Sequence, residues 1–373
     1  MNFPMIDLRP QLEAAASESR RFLDELFARM HFILGEQVAA FERDFAGYLG
    51  SAFAVGVGSG TGALELCLRS AGLGRARPQV VTSALTSPFT AQAILAAGGV
   101  PRFADVNPET LLVEPDEVAQ RMNPNTGAVI PVHLYGQPCD LERLSSLVRQ
   151  SEIALIQDAC QAHGARYLGR PFTAYSDWVA YSFYPTKNLG CLGDGGAVAT
   201  GAESVAGEIR LLRDGGRDNG QVSRVAAVNS RLDEMQACYL RAFLPHLDDW
   251  NSRRARLAAL YDEALAGCEG VTPVRRSPES VNHLYVVRAR DRERLRAHLR
   301  EQEIMTAVHY PLPLHLNAAF HEFGPGAGAL PHAEKACQEV LSLPLWPYLG
   351  DSAVLSVAER VREFYQQGSA PRQ

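Results

Sequence analysis

Through its first two thirds the chain alternates short apolar runs with helical stretches, and this alternation restricts the fold more than any other feature. The runs "FAVGVG" (53–58), "QVVTSA" (79–84), "GAVIPVHLYG" (127–136), "IALIQDA" (153–159), "WVAYSFY" (178–184) and "GGAVAT" (195–200) read as strands. Helical patterns such as "TGALELCLRSAGL" (61–73) and "TAQAILAAGG" (90–99) separate several of them. Strands this apolar, joined through helices, predict an α/β fold with a mainly parallel sheet covered on both faces. The last run follows a glycine-rich turn and is expected to run antiparallel.

From about residue 230 the pattern becomes helical and rich in arginine, followed by a strand, "HLYVVRA" (283–289), a helix, "DRERLRAHLREQEI" (291–304), and another short apolar run. A chain of 373 residues is too long for one simple core. The change of pattern predicts a large domain over 1–245 and a smaller α+β C-terminal domain over 246–373. "FGPGAGALP" (323–331) reads as a loop and the final "QQGSAPRQ" as a frayed tail.

Several partners are disfavoured. The net charge is −6 and no Lys/Arg run occurs, so there is no basic footprint for nucleic acid. The N-terminal segment lacks the basic-then-apolar order of a signal peptide, and no apolar run approaches the roughly 20 residues of a membrane span. Seven widely spaced cysteines without a CxxC pair suit a reducing compartment and argue against both a disulfide framework and a zinc site. A soluble, cytoplasmic protein is the expectation.

Three stretches carry chemistry. In "YSFYPTKNLGCLGDGGAVAT" (181–200) stands Lys187, one of two lysines in the chain against 34 arginines. A chain that prefers Arg for surface charge has reason to use Lys where an amine must lose its proton and attack a carbonyl. "VGVGSGTGALEL" (55–66) reads as strand, glycine-rich turn and helix start, where backbone N–H groups of Gly60, Thr61 and Gly62 and the Thr61 hydroxyl suit a phosphate. It matches neither the P-loop nor the dinucleotide fingerprint. "IALIQDACQAHGARY" (153–167) sets Asp158 at a strand end, at the sheet edge where open α/β folds bind ligands. His163 nearby reads as a structural histidine. One cofactor explains all three: pyridoxal 5'-phosphate, with its phosphate on the glycine turn, its ring nitrogen on Asp158 and its aldehyde held by Lys187 as a Schiff base.

With these residues in place the sequence resembles the sugar aminotransferases of the DegT/DnrJ/EryC1/StrS family over nearly its whole length. "GSGTGALEL", "PVHLYGQPCD", "QDACQAHGARY", "SFYPTKNLGCLGDGGAVAT", "NSRLDEMQA" and "HYPLPLHL" carry the likeness. The resemblance implies the fold type I of pyridoxal-phosphate-dependent transferases and a homodimer with shared active sites. It implies that Gln161 lies near the cofactor's phenolic oxygen, that Ser182 joins the phosphate site and that Asn229 reaches the cofactor phosphate of the neighbouring subunit. Tyr184, Arg231, His309, Tyr310 and His315 would face the sugar nucleotide. "FYPTKNLG" followed by "LGDGGA" is similar to members that aminate the sugar 3-position. The implied reaction moves an amino group from L-glutamate to a 3-keto-6-deoxyhexose linked to a nucleotide, dTDP being the expected one. The alternatives are a 4-ketosugar or cyclitol ketone, a dehydratase, disfavoured because Lys187 is intact, and a non-catalytic regulator. Ser87 stands where many relatives carry a stacking aromatic, with Phe89 as its candidate substitute. "RDGGRDNGQ" (213–221) lacks the aromatic-rich form common in relatives and is expected to alter the substrate entrance.

Overall fold

The computed structural model describes residues 3–218 and 222–368. Ten strands are present: β1 (Phe53–Val57), β2 (Gln79–Ser83), β3 (Val100–Ala104), β4 (Thr126–Ile130), β5 (Ala154–Asp158), β6 (Trp178–Ser182), β7 (Gly196–Thr200), β8 (Val271–Pro273), β9 (Tyr285–Ala289) and β10 (Val340–Leu343). The first seven form one sheet in the order β1-β7-β6-β5-β4-β2-β3. All its neighbours pair parallel except β7, which runs antiparallel to both β6 and β1. The expected α/β class, the mainly parallel sheet and the reversal at "GGAVAT" are all observed.

Helices cover both faces of this sheet because its strands have no polar side to show water. Val55, Val57, Val80, Ala128, Ile130, Ile156, Ala180 and Val198 pack under the helices Gly60–Ser70, Pro88–Ala96 and Glu203–Arg213. Phe41 and Phe45, from the helix Glu36–Leu49, press their rings against Tyr181 and Phe183 on the other face. β3 was not expected as a strand, since Pro101 and Arg102 interrupt its apolar run; at the edge of a sheet a proline costs no ladder bond.

The chain leaves this layer through Glu234–Phe243 and a single turn at Leu244–His246, then enters the long helix Leu247–Leu265. A three-stranded antiparallel sheet follows, ordered β10-β9-β8 and packed against Leu247–Leu265, Arg292–Glu301 and Asp351–Gly368. The loop expected near 323–331 contains one short turn, His321–Phe323, and no strand or helix before Pro331. Of the expected tail, residues 369–373 lie outside the described residues, as do 219–221 of "RDGGRDNGQ". No helix among the described residues is long and apolar enough to cross a membrane.

A buried ion pair ties β1 to its two flanking helices. The Arg213 Nη1 donates to Glu42 and, at 2.7 Å, to the Gly56 carbonyl, while the same Glu42 oxygen accepts the Gly56 N–H at 2.8 Å. Both side chains are buried, so removing one partner strands a charge in an apolar layer. Glu42→Ala is expected to destabilise the protein by about 3–5 kcal/mol in urea unfolding; a loss below about 1 kcal/mol would show that water reaches Arg213.

Candidate active site

The parallel strands end on one edge of the large sheet, and a cavity of about 570 Å³ opens there. Its wall begins at the turn after β1. Ser59 caps the helix Gly60–Ser70, its Oγ accepting the Gly62 N–H at 3.0 Å. That bond uses one helix-start donor and leaves the N–H groups of Gly60 and Thr61 as donors without an intrahelical acceptor. A Cβ at Gly60 would lie 2.6 Å from the Ser182 Cβ and 2.8 Å from the Cys160 Sγ. Only glycine allows the helix start to sit this close to the ends of β5 and β6. Gly62 instead packs on Ser230 and does not line the cavity.

Asp158 ends β5 and is buried. Its Oδ2 accepts the Thr90 hydroxyl at 2.9 Å and its Oδ1 accepts the Cys160 N–H at 3.2 Å, so each oxygen keeps a lone pair in reserve. Thr90 stands in the helix Pro88–Ala96, with the Thr86 hydroxyl 3.4 Å away. Gln161 is fixed from two sides: its Oε1 accepts the Tyr135 N–H at 2.7 Å, and its Nε2 donates to the Tyr310 hydroxyl at 3.3 Å. Ser182, at the end of β6, accepts the Tyr184 N–H at 3.3 Å.

Lys187 lies in the loop that joins β6 to β7 and lines the same cavity, partly exposed to it. Burial holds its amine below the usual lysine range, while Cys160 and Asp158 pull in the opposite direction. The loop is short of freedom. Lys187 N–H bonds to the Tyr184 carbonyl at 2.9 Å, Cys191 N–H to Phe183 at 2.7 Å and Phe183 N–H to Gly195 at 2.7 Å. At Gly190 a Cβ would come 2.5 Å from the Pro185 oxygen, and at Gly196 one would come 2.4 Å from the Ser59 oxygen.

Residues beyond position 245 complete the wall: His283, Leu284, His309 and Tyr310. His309 Nδ1 lies 2.9 Å from the Ser342 Oγ, and burial pushes its imidazole down to about 4. Tyr310 is held between Gln161 and the hydroxyl of Ser87, and burial pushes its phenol up to about 12. Ser87 is thus the N-cap of Pro88–Ala96 and a partner of Tyr310, while Phe89, 58% exposed, offers its ring at the cavity mouth. Tyr184, 52% exposed, stands there as well.

Besides Gly62, three of the sequence-derived candidates are elsewhere. Arg231 donates to Asp214 at 2.8 Å, and Arg217 shares that carboxylate. Asn229 is exposed and pairs with Asp214 in a β-bridge. His315 is buried with its Nε2 3.1 Å from Glu334. None of them lines the cavity of this chain. His163 is buried, its ring set at 5.5 Å and 5.9 Å from those of Tyr181 and Phe183, as expected of a structural histidine. Sequence reasoning missed Ser59, Thr90 and His283; a serine directly before a glycine-rich helix start was the one available signal, as an N-cap.

The cavity therefore offers helix-start N–H groups for an anion, a buried carboxylate for a ring cation and an amine with a depressed pKa for a carbonyl carbon. Pyridoxal 5'-phosphate carries these three groups, and the helix-start N–H groups of Gly60 and Thr61, held beside Ser182 in the cavity wall, suit its phosphate.

The comparisons with known proteins agree. The DegT/DnrJ/EryC1/StrS aminotransferase family model matches residues 14–362. The dTDP-3-amino-3,4,6-trideoxy-alpha-D-glucose transaminase of Streptomyces venezuelae is 40% identical over 98% of this chain and 96% of its own. A pleiotropic regulatory protein of Geobacillus stearothermophilus is 41% identical over 98% of this chain and 99% of its own. The crystal structure of S. venezuelae DesV in complex with a ketimine intermediate superposes with a TM-score of 0.95 at 40% identity, covering 98% of this chain and 99% of that one. A fold matched end to end, a family model spanning most of the chain and a cavity built for the cofactor lead to one assignment: the chain belongs to the DegT/DnrJ/EryC1/StrS aminotransferase family, whose members depend on pyridoxal phosphate.

Proposed function

We propose that this protein transfers the amino group of L-glutamate to the 3-keto carbon of a dTDP-linked 3-keto-6-deoxyhexose, in the making of an amino sugar. The observation that carries the chemistry is the meeting of Lys187, Asp158 and the Gly60 helix start in one cavity. The 3-position and the nucleotide rest on the 40% identical S. venezuelae transaminase, whose name specifies both. The regulatory name of the G. stearothermophilus relative does not redirect the reading, because the cavity here retains its amine and its carboxylate.

When bound, pyridoxal phosphate supplies an electrophilic carbon and a ring that accepts the electrons left behind when a proton leaves the donor's α-carbon. The residues supply the rest. Lys187 would hold the cofactor through its amine and, when that amine is free, would carry the proton. Its depressed pKa makes the neutral, nucleophilic form accessible at lower pH than for a solvated lysine. Asp158, fixed by the Thr90 hydroxyl, keeps the ring nitrogen protonated. Gly60, Thr61 and Ser182 bind the phosphate. Gln161 would lie by the phenolic oxygen, and Tyr184, His309 and Tyr310 would receive the sugar.

The cofactor belongs to the residue 1–245 unit in this proposal, with 246–373 closing one wall. Among the described lining residues Lys187 is the one Lys or Arg. That is little positive charge for a substrate with two phosphates, which supports a site shared between two copies. Phe27, Met30, Phe32 and Ile33 are exposed in one stretch, and Ile33 bridges Asp233 beside the segment bearing Asn229 and Arg231. We assign this face to the homodimer, with Asn229 and Arg231 turned toward the neighbour's site.

Replacing Lys187 by Arg keeps the charge and removes the nucleophile. The visible absorbance of lysine-bound cofactor is expected to vanish and turnover to fall by at least about 10²–10⁴-fold; turnover surviving in this variant would end the assignment. With glutamate and a panel of 3-keto and 4-keto nucleotide sugars, NMR of the product is expected to place the new amine on C3, and an amine on C4 would transfer the reading to the 4-ketosugar alternative. Ile33→Asp is expected to sediment as a monomer and retain cofactor poorly. Full cofactor retention by a monomer would remove the shared site.

A further inference from the structure

The residue after the amine, Asn188, is buried and holds together three parts of the chain. Its Nδ2 donates to the Asn251 Oδ1 at 2.8 Å and to the Val281 carbonyl at 3.0 Å. Its Oδ1 lies 3.0 Å from the Nδ1 of His283. Asn251, in the helix Leu247–Leu265, donates its own Nδ2 to the His163 carbonyl at 2.9 Å.

This network fixes a proton. Backbone carbonyls only accept, so the contacts to Val281 and His163 identify which end of each amide is nitrogen. The remaining Asn188 oxygen must accept, and the His283 Nδ1 must therefore carry hydrogen. His283 is buried, and no carboxylate is among its hydrogen-bond partners; burial first, then the charges of Lys187 and Arg254 and the nearby His309 and His163, hold it well below the usual histidine range. It is neutral, with a bare Nε2. No side chain or backbone group among the described residues donates to that Nε2, and His283 lines the cavity that Lys187 lines. Neither neighbouring histidine is fixed in this way. His309 faces a serine hydroxyl that can donate or accept, and both nitrogens of His163 lack partners.

We propose that His283 is a positioning residue: locked by Asn188 as the Nδ1–H tautomer, it presents its Nε2 lone pair to the cavity that Lys187 lines and accepts a hydrogen bond from Lys187 once that amine has taken up a proton and become an ammonium. This deepens the aminotransferase reading, resting on Lys187 as the proton carrier. A proton taken from the donor's α-carbon makes Lys187 an ammonium. Cys160 and Asp158 face it from the end of β5, and the neutral imidazole adds an acceptor on the side of β9. The acceptor stabilises the ammonium without competing for the proton, since a buried imidazole among cations is the weaker base. Asn188 thus sets, through His283, the direction in which its neighbour's amine points.

The two-lysine sequence makes the test direct, because Lys335, exposed, serves as internal reference. The full-length protein, freed of cofactor, is reductively methylated across a pH series and the two lysines are followed by peptide mass. His283→Asn keeps a donor at the Nδ1 position and loses the Nε2 acceptor; His283→Gln keeps an acceptor near Nε2 and loses the Nδ1–H. In His283→Asn the pH midpoint of Lys187 methylation is expected to fall by about one unit, with His283→Gln close to wild type and Lys335 unchanged in both. Nitrogen-15 spectra of the wild-type protein, with His283 identified by its loss in the variants, are expected to show the Nδ1–H tautomer and an Nε2 resonance displaced by Lys187→Met. A wild-type midpoint in His283→Asn, or a shift in His283→Gln alone, would reduce His283 to a structural partner of Asn188. An Nε2–H tautomer would overturn the proposal regardless of how the variants fold. Because methylation needs no cofactor or substrate, failure here leaves the aminotransferase reading to its own tests.

Discussion

The site depends on a place where no side chain stands. Gly60 lets the first turn of a helix press against Ser182 and Cys160, at the ends of two strands about one hundred residues further along the chain. Gly196 repeats the device from the other side, admitting the start of β7 to the Ser59 carbonyl. With a methyl group at either position the helix start would move off the sheet edge. The anion donors of one loop and the amine of another would then no longer share a cavity.

Burial decides the protonation states around that cavity. It depresses the amine of Lys187 and the imidazoles of His163, His283 and His309, so that each gives up its proton at lower pH than its solvated counterpart. It acts in the opposite sense on the thiol of Cys160, which burial and Asp158 together push well above the usual cysteine range. A thiolate there would compete for any aldehyde in the cavity. The same loss of water that readies the amine keeps the sulfur silent.

Legibility in the sequence followed the range of the interaction concerned. Strands announced themselves by local apolar runs, and Asp158, Lys187 and the glycine turn by residue type and position relative to those runs. β3 escaped because Pro101 and Arg102 hide an edge strand. Thr90 and His283 escaped for another reason: their importance lies in partners 68 and 95 residues away, Asp158 and Asn188, and no local pattern encodes such a meeting. Arg231 was singled out for its planar fork, yet within one chain that fork is spent on Asp214. Ser87, conspicuous as a missing aromatic, proves to be a helix cap whose hydroxyl also meets Tyr310.

The loop bearing Lys187 leaves the sheet at β6 and re-enters it one strand over at β7, with its own backbone bonds drawn tight between. Both ends are anchored in a seven-stranded layer, so the amine waits in place before anything arrives. Little chain entropy is left to lose when the cofactor docks. Capture of the cofactor should therefore proceed at the pace of collision and bond formation, as in a lock already cut to its key, and without a disordered segment having to fold around its guest.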